Sequence, residues 1–180
     1  MRYLLDTCVL YPTVMREVLL GVARAGVYTP LWSDRILEEW ARAAKKLGPE
    51  GDLQARSEIA LLSAAWPKST VTPNEGLEKR LWLPDPADVH VLAAAISGSA
   101  DGIITVNAKD FPRQSLADEG LTRIDPDGFL LGIQKAQPVM VREVVENVRK
   151  EAERLSGQPW ELRALMKKAR LPRLGKAVSQ

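Results

Sequence analysis

Short apolar runs alternate with longer amphipathic stretches along the first part of the chain. The runs at residues 2–6, 28–33 and 102–106 are short enough to be strands. Between them, apolar residues recur at helical spacing, as they do over residues 14–25. Strands that alternate with helices favour parallel pairing with right-handed helical crossovers. The pattern therefore predicts an α/β fold with a mostly parallel sheet of four to five strands.

Capping and breaking residues set the predicted boundaries. Ser33 is a suitable N-cap for a helix from Asp34 to Leu47, which Gly48 and Pro49 would end. A further helix starts at Asp88 and ends at Gly98. The other predicted elements are a helix at 52–65, strands at 69–72 and 121–124, and a loop with a short helix at 107–120.

Beyond residue 128 the pattern becomes helical throughout. One predicted helix carries Val141, Val145 and Val148 on a single apolar face, and the segment 157–159 breaks it before a second short helix at Trp160. We therefore predict a domain at residues 1–130 and a helical extension at residues 131–180. The apolar face of the extension is expected to pack in a core, or to dock on a partner.

The composition is that of a soluble domain that can bury a core, with 180 residues of which 46% are apolar. No apolar run approaches the roughly 20 residues of a membrane span, and the segment MRYLLDT does not resemble a signal peptide. Cys8 is the only cysteine, so no intrachain disulfide is possible and a cytoplasmic location is expected. Its neighbours indicate a buried small side chain, not a nucleophile.

Charge is unevenly distributed. Residues 1–140 carry 15 Lys and Arg against 18 Asp and Glu, a net charge of −3, whereas residues 141–180 carry 10 against 5, a net charge of +5. A basic tail on an acidic body can attract a polyanion to a site that is itself anionic. A solvated helix face is an equally good explanation.

Four acidic residues lie at or near points where apolar segments stop or start. Asp6 ends the first strand, Glu39 lies in the helical segment SDRILEEWARA, Asp88 opens a helix, and Asp110 follows the run at 102–106. These acids are 33, 49 and 22 residues apart, so only the edge of a folded parallel sheet would group them. Grouped carboxylates repel one another unless a cation is bound. The pattern predicts a site for Mg²⁺ or Mn²⁺.

Each acid also has a simpler structural explanation. Asp6 could close a turn, Asp88 could be a helix N-cap, Asp110 could form an Asx turn, and Glu39 could be a solvated helix acid. Their joint occurrence in this order favours a site. His90, the only histidine, is expected to be a packed or hydrogen-bonding residue and not a ligand. The five tryptophans are scattered, which does not indicate a base-stacking platform.

Three segments resemble the PIN-domain ribonuclease family. RYLLDTCVL resembles its first strand, which ends in Asp followed by Thr, Ser or Asn, and SDRILEEW resembles its acidic helix. DPADVHVLAAAISGSADGIITVNAKDFP resembles its second half, in which an Asp starts a helix and a strand ends in a Thr-x-Asn/Asp-x-x-Asp-Phe turn. The resemblance covers about residues 1–130 and implies a three-layer PIN-like domain with Mg²⁺- or Mn²⁺-dependent RNA cleavage.

Carried over by position, the resemblance implies that the catalytic acids are Asp6, Glu39, Asp88 and Asp110. Asp6 and Asp88 would bind the metal directly, and Asp110 would bind it directly or through water. Glu39 would orient a metal-bound water or bind a second ion, and Glu38 is the alternative to it. The supporting residues are expected to be Thr7, Asp85, Thr105 and Asn107, of which Asn107 replaces an acid that some members carry.

The leading hypothesis is a metal-dependent endoribonuclease that cleaves RNA phosphodiester bonds. Many bacterial members of the family are VapC-type toxins, so the resemblance implies a toxin of a type II toxin–antitoxin pair. It also implies a cognate antitoxin and a homodimer. The alternatives are a catalytically inert PIN-fold module that binds RNA or protein, and a DNA-directed nuclease.

Overall fold

The structure is a computed structural model that describes all 180 residues. A four-stranded sheet has the order β2-β1-β3-β4. The chain divides into two compact units, residues 1–11 with 29–123 and residues 12–28 with 124–180. The strands are β1 (Arg2–Leu5), β2 (Thr29–Leu31), β3 (Gly102–Ile104) and β4 (Thr122–Ile124). The α-helices are α1 (Thr7–Leu10), α2 (Thr13–Arg24), α3 (Asp34–Lys45), α4 (Pro49–Ala65), α5 (Leu77–Arg80), α6 (Val89–Ser97), α7 (Arg113–Ala117), α8 (Pro126–Ala136), α9 (Pro138–Ser156), α10 (Leu162–Lys168) and α11 (Pro172–Val178).

Strand β1 lies at the centre of the first unit and pairs in parallel with β2 and β3. Leu4 lies opposite Leu31 on one side and Ile103 on the other, and all three are fully buried. Such apolar strands are typical of parallel sheets that are covered on both faces. The backbone N–H of Asp6 donates to the carbonyl of Ile104 at 3.2 Å, which places this acid at the carboxyl end of the strands. The α/β fold predicted from the sequence is confirmed.

Two helices of this unit carry predicted site residues. Helix α3 begins after Ser33, whose hydroxyl accepts from the backbone N–H of Ile36 at 3.3 Å, as the sequence predicted. The apolar side of α3 is buried, and this leaves Glu39 half-buried near the end of the sheet. Helix α6 is almost entirely buried, and a short 3₁₀ turn, Pro86–Asp88, leads into it.

Asp88 does not act as the N-cap that its position allowed. Its side chain makes no capping hydrogen bond to α6. Asp85 makes the local cap instead, because its carboxylate accepts from the backbone N–H of Ala87 at 2.9 Å. The carboxylate of Asp88 is therefore not engaged by the helix that it precedes.

The strand predicted at residues 69–72 is an isolated bridge, and the sheet has four strands. Thr70 pairs with Trp32 alone. The N–H of Trp32 donates to the carbonyl of Ser69, and the N–H of Val71 donates to the carbonyl of Trp32. Pro73 follows two residues after Val71 and has no N–H to extend the pairing.

The second unit is helical and joins α2 to the C-terminal helices α8–α11. Val141 and Val145 of α9 are buried, whereas Leu155 at the end of that helix is exposed. A Cβ on Gly21 of α2 would lie 2.5 Å from Cγ1 of Val144, so this glycine permits the close approach of α2 and α9. No helix in the structure combines the length and apolar character needed to cross a membrane.

An ion-pair network holds α11 to the start of α8 in this unit. Both the backbone N–H and Nε of Arg173 donate to buried Asp127, at 3.0 and 3.1 Å. The same guanidinium also pairs with Asp125. At least one cation of the basic C-terminal segment is therefore committed to the fold.

Candidate metal centre

Three carboxylates converge beside the start of α6. Asp85 precedes the 3₁₀ turn, Asp88 is the last residue of that turn, and Asp110 comes from the loop after β3. Their ligand oxygens all lie within 4.8 Å of one another. Oxygens on opposite sides of a Mg²⁺ ion are roughly 4.2 Å apart, and Mg²⁺ usually keeps several waters. The cluster is thus spaced for a hydrated divalent cation.

Asp6 lies next to this cluster and is held by two side chains. Its Oδ2 accepts from the hydroxyl of Thr105 at 2.7 Å and from Sγ of Cys8 at 2.9 Å. Both bonds go to the same oxygen of a carboxylate that is 6% exposed, which leaves Oδ1 available to a cation. Thr105, which the sequence predicted as a supporting residue, therefore orients the acid at the end of β1.

Cys8 contributes a protonated thiol to this environment. Burial, followed by the charge of Asp6, raises the pKa of the Cys8 thiol to about 12. A thiol in this state is not a soft metal ligand or a nucleophile at neutral pH. The donors offered to a cation are carboxylate oxygens, which suits Mg²⁺ or Mn²⁺ and does not suit a thiophilic ion.

Asp88 is the electrostatic centre of the group. Burial, followed by the negative charges of Asp6, Asp85, Asp110 and Glu39, raises the pKa of its carboxyl to about 6. The other four acids of the group therefore act on this single carboxyl group. A bound cation would oppose this shift, because it offsets the repulsion among the carboxylates.

Glu39 approaches the same group from α3 and is held by polar neighbours. Its Oε2 accepts from the hydroxyl of Thr7 at 3.1 Å, and Oε1 lies 2.7 Å from Nε2 of His90 and 3.8 Å from Nε of Arg35. Burial raises the pKa of Glu39, but the combined effect of His90, Thr7 and Arg35 is larger and in the opposite direction. The net shift of the pKa is therefore downward. Glu39 is therefore the ionised acid of α3 at this site.

Glu38, the alternative acid of α3, has different surroundings. Its carboxylate pairs with Arg42 at 3.3 Å and with Arg56 at 3.1 Å, both on exposed helix surface. The hydrogen bonds from these guanidinium groups lower the pKa of Glu38. The structure brings Glu39, and not Glu38, to the carboxylates.

The loop after β3 is fixed at both ends. Nδ2 of Asn107 donates to Oδ2 of Asp88 at 3.3 Å, and the backbone N–H of Asn107 donates to the hydroxyl of Thr105 at 2.9 Å. Nη1 of Arg123 donates to the carbonyls of Ala108 and Phe111, at 2.7 and 3.0 Å. The turn that carries Asp110 lies between these two anchors. All eight residues named from the sequence therefore meet around one site.

Sequence reasoning missed two contributors. His90 is buried as expected, and its Nε2 lies 2.7 Å from Oε1 of Glu39, although neither ring nitrogen has hydrogen-bond geometry with a partner. Its position two residues after Asp88 was the only available signal. Nothing in the sequence indicated Arg123, because its two acceptors are backbone carbonyls more than ten residues away.

A cavity of about 520 Å³ adjoins His90 between the start of α3 and residues 71–79.

Comparison with known proteins agrees with this arrangement. A family model described as PIN domain matches residues 2–109, which is more than half of the chain. The matched segment contains Asp6, Glu39 and Asp88, and it ends one residue before Asp110. No curated protein and no solved structure matches the chain at a significant level. With its parallel sheet and its acidic cluster at the carboxyl ends of the strands, this chain belongs to the PIN domain family.

Proposed function

We propose that this protein is a Mg²⁺- or Mn²⁺-dependent endoribonuclease that hydrolyses RNA phosphodiester bonds. PIN domains are generally metal-dependent nucleases, and this chain belongs to that family. The observation that carries the proposal is the convergence of Asp85, Asp88 and Asp110 within 4.8 Å, with Asp6 and Glu39 close enough to raise the pKa of Asp88. Holding five acids together costs folding free energy, and cation binding at the site repays it.

The roles of the acids follow from their contacts. Asp6, Asp88 and Asp110 would hold the cation, and Asp85 would add an inner or water-mediated ligand from the exposed side of the cluster. Divalent-cation chemistry would supply an activated water and offset charge on the scissile phosphate. Glu39 is kept ionised by His90 and Thr7, so its free lone pairs can accept a hydrogen bond from the attacking water.

The other residues orient the acids. Thr105 and Asn107 fix Asp6 and Asp88 through hydrogen bonds of 2.7 and 3.3 Å. Partners of this kind commonly change metal affinity or activity by about 10- to 100-fold when they are removed. A cation that activates the attacking water would make a separate side-chain base unnecessary.

The preference for RNA over DNA is supported by the family resemblance, and nucleic-acid binding in general is supported by the basic C-terminal segment. The last twenty residues carry six Lys and Arg and one acid, and exposed cations among them include Arg163, Lys167 and Lys168. Such a segment would raise the local concentration of a polyanion without reading its sequence. A DNA-directed nuclease remains the second candidate on the same chemistry.

A cleavage assay tests the proposal directly. Purified protein should cleave single-stranded RNA with Mg²⁺ or Mn²⁺ and stop when EDTA is added. Asp6→Asn and Asp88→Asn should each lower kcat by about 100-fold or more, because each removes a negative oxygen from the cation site. Asp118→Asn changes an exposed acid that is not one of the clustered carboxylates, and it should cleave at the wild-type rate.

The result also separates the alternatives. Faster cleavage of branched DNA than of RNA would identify a DNA-directed nuclease. Absence of both cleavage and Mn²⁺ binding would identify an inert binding module. Wild-type rates in both Asn variants would refute the assigned site.

We also propose that the enzyme is the toxin of a type II toxin–antitoxin pair, acts as a homodimer in the cytoplasm, and is neutralised by a cognate antitoxin. An antitoxin could lay an apolar helix on the protein and insert a basic side chain among the acids. Induced expression should arrest growth for the wild type and not for Asp88→Asn. A small adjacent gene whose product restores growth would support the pairing, and light scattering of the purified protein would test the dimer.

A further inference from the structure

Trp82 differs from the other tryptophans in its surroundings. Its side chain is 70% exposed, whereas Trp32 and Trp40 are buried and Trp66 and Trp160 are partly covered. A single exposed apolar side chain is common on protein surfaces and needs no explanation by itself. The position of this indole, three residues before Asp85 of the acidic cluster, is what gives it a consequence.

The segment that carries Trp82 is held on both sides. Before it, the guanidinium of Arg80 makes two bonds to the carboxylate of Glu119, at 2.7 and 2.8 Å. After it, Leu83 is 1% exposed and anchors the chain in the core. Neighbouring side chains of an extended segment point to opposite sides, and Leu81 has extended dihedral angles. The burial of Leu83 therefore directs Trp82 outward.

The length of the chain between Trp82 and Asp85 limits how far the indole can lie from the carboxylate cluster. Three residues span at most roughly 11 Å, so Trp82 and Asp85 are no farther apart than that along the chain. Asp85 itself lies within 4.8 Å of Asp88 and Asp110, measured between ligand oxygens. A phosphate bound at these carboxylates would have the bases of its own or adjacent nucleotides near the indole.

We propose that Trp82 is a base-stacking residue that holds an unpaired base of single-stranded RNA beside the scissile phosphate. This inference rests on the proposed function. Aromatic side chains recognise single strands because unstacked bases offer a free π-face, whereas bases in a duplex are already stacked. Stacking is tolerant of sequence, so Trp82 would position the strand and leave base identity to other contacts. The indole carries no charge and adds no repulsion to the five neighbouring acids.

Kinetics on a single-stranded oligoribonucleotide test the role of the ring. Trp82→Ala should lower kcat/KM by about 5- to 100-fold, mainly through KM, because stacking holds substrate and transition state alike. Trp82→Phe keeps an aromatic face and should recover most of this loss. Leu61→Ala removes a side chain on α4 that is 72% exposed, and it should behave as the wild type.

Cleavage of substrates that lack one base distinguishes base stacking by Trp82 from a purely structural role. Oligomers with an abasic site at successive positions around the cut should include one that the wild type cleaves as poorly as Trp82→Ala cleaves the intact strand. Trp82→Ala should show no further loss with that oligomer, since the two changes remove the same contact. If the losses from the abasic site and from Trp82→Ala were fully additive at every position, the proposal would be overturned. Wild-type kinetics in Trp82→Ala would also overturn it, and this is the result expected if the indole instead docks a protein partner.

Binding separates this inference from the proposed function. In an Asp88→Asn background, which removes one negative charge from the site, affinity for the intact oligomer can be measured by fluorescence anisotropy without turnover. Adding Trp82→Ala should weaken that affinity by about 5- to 100-fold. Unchanged affinity would overturn the inference even if the wild type cleaves RNA, and weakened affinity would support it even if the wild type does not.

Discussion

Replacing Asp88 by Asn should stabilise the metal-free protein while it abolishes cation-dependent function. The pKa of Asp88 is raised from 3.8 to about 6 by burial and by its acidic neighbours. The folded state therefore binds the proton of this group more tightly than the unfolded chain does. Ionisation of Asp88 favours unfolding, so the stability that the protonated group provides is full below pH 4 and is lost as the pH rises through 6.

The pKa shift of Asp88 sets an upper limit on the change in the free energy of unfolding. About two pKa units correspond to about 3 kcal/mol. The site is partly open to solvent, which screens the interaction, so we expect about 1–2 kcal/mol at pH 7.5. For a chain of this length that is a rise in Tm of about 2–8 °C in Asp88→Asn. The amide oxygen can still accept the bond from Asn107, so the change removes charge and little else.

Thermal denaturation in EDTA measures the difference, at pH 7.5 and at pH 4.5. Asp88→Asn should melt above the wild type at pH 7.5, and the gap should narrow at pH 4.5, where the Asp88 carboxyl is protonated in the folded state but still largely ionised in the unfolded chain. Adding Mn²⁺ at pH 7.5 should raise the Tm of the wild type more than that of the variant. Asp118→Asn should follow the wild type throughout. A variant that is no more stable than the wild type in EDTA, or a gap that is independent of pH, would refute the electrostatic argument.

Three further changes test individual contacts. Thr105→Val removes the hydroxyl that orients the carboxylate at the end of β1, so kcat should fall by about 10- to 100-fold in the cleavage assay. Arg123→Met removes both bonds that one guanidinium nitrogen donates, so the turn of Asp110 should loosen and half-maximal activity should require more Mn²⁺, which a metal titration would show. Gly21→Ala should lower the free energy of unfolding by about 1–3 kcal/mol, because its Cβ would meet Val144 at 2.5 Å, and Val144→Ala in the same chain should restore much of the loss in a denaturant titration.

Local signals in the sequence were sufficient for most of the elements. β1, α3 and α6 lie close to their predicted positions because apolar spacing, the Ser33 cap and the Gly98 stop act over a few residues. The same signals placed the acids at strand and helix ends, where a parallel sheet gathers its functional groups. The predicted strand at 69–72 failed because strand pairing depends on a partner, and the neighbouring proline is a stronger signal than the short apolar run.

The sequence by itself determined most of the segments that form strands and helices and that several acids end up on one edge of a sheet, since both follow from periodicity and from parallel topology. Only the tertiary structure decided that Asp85, expected as a supporting residue, lies within 4.8 Å of Asp88 and Asp110, that His90 contacts Glu39, and that Trp82 faces outward. It also joined α2 to the C-terminal helices. The physical reason is that hydrophobic spacing reports whether a residue is buried and carries no information about which distant side chain it meets.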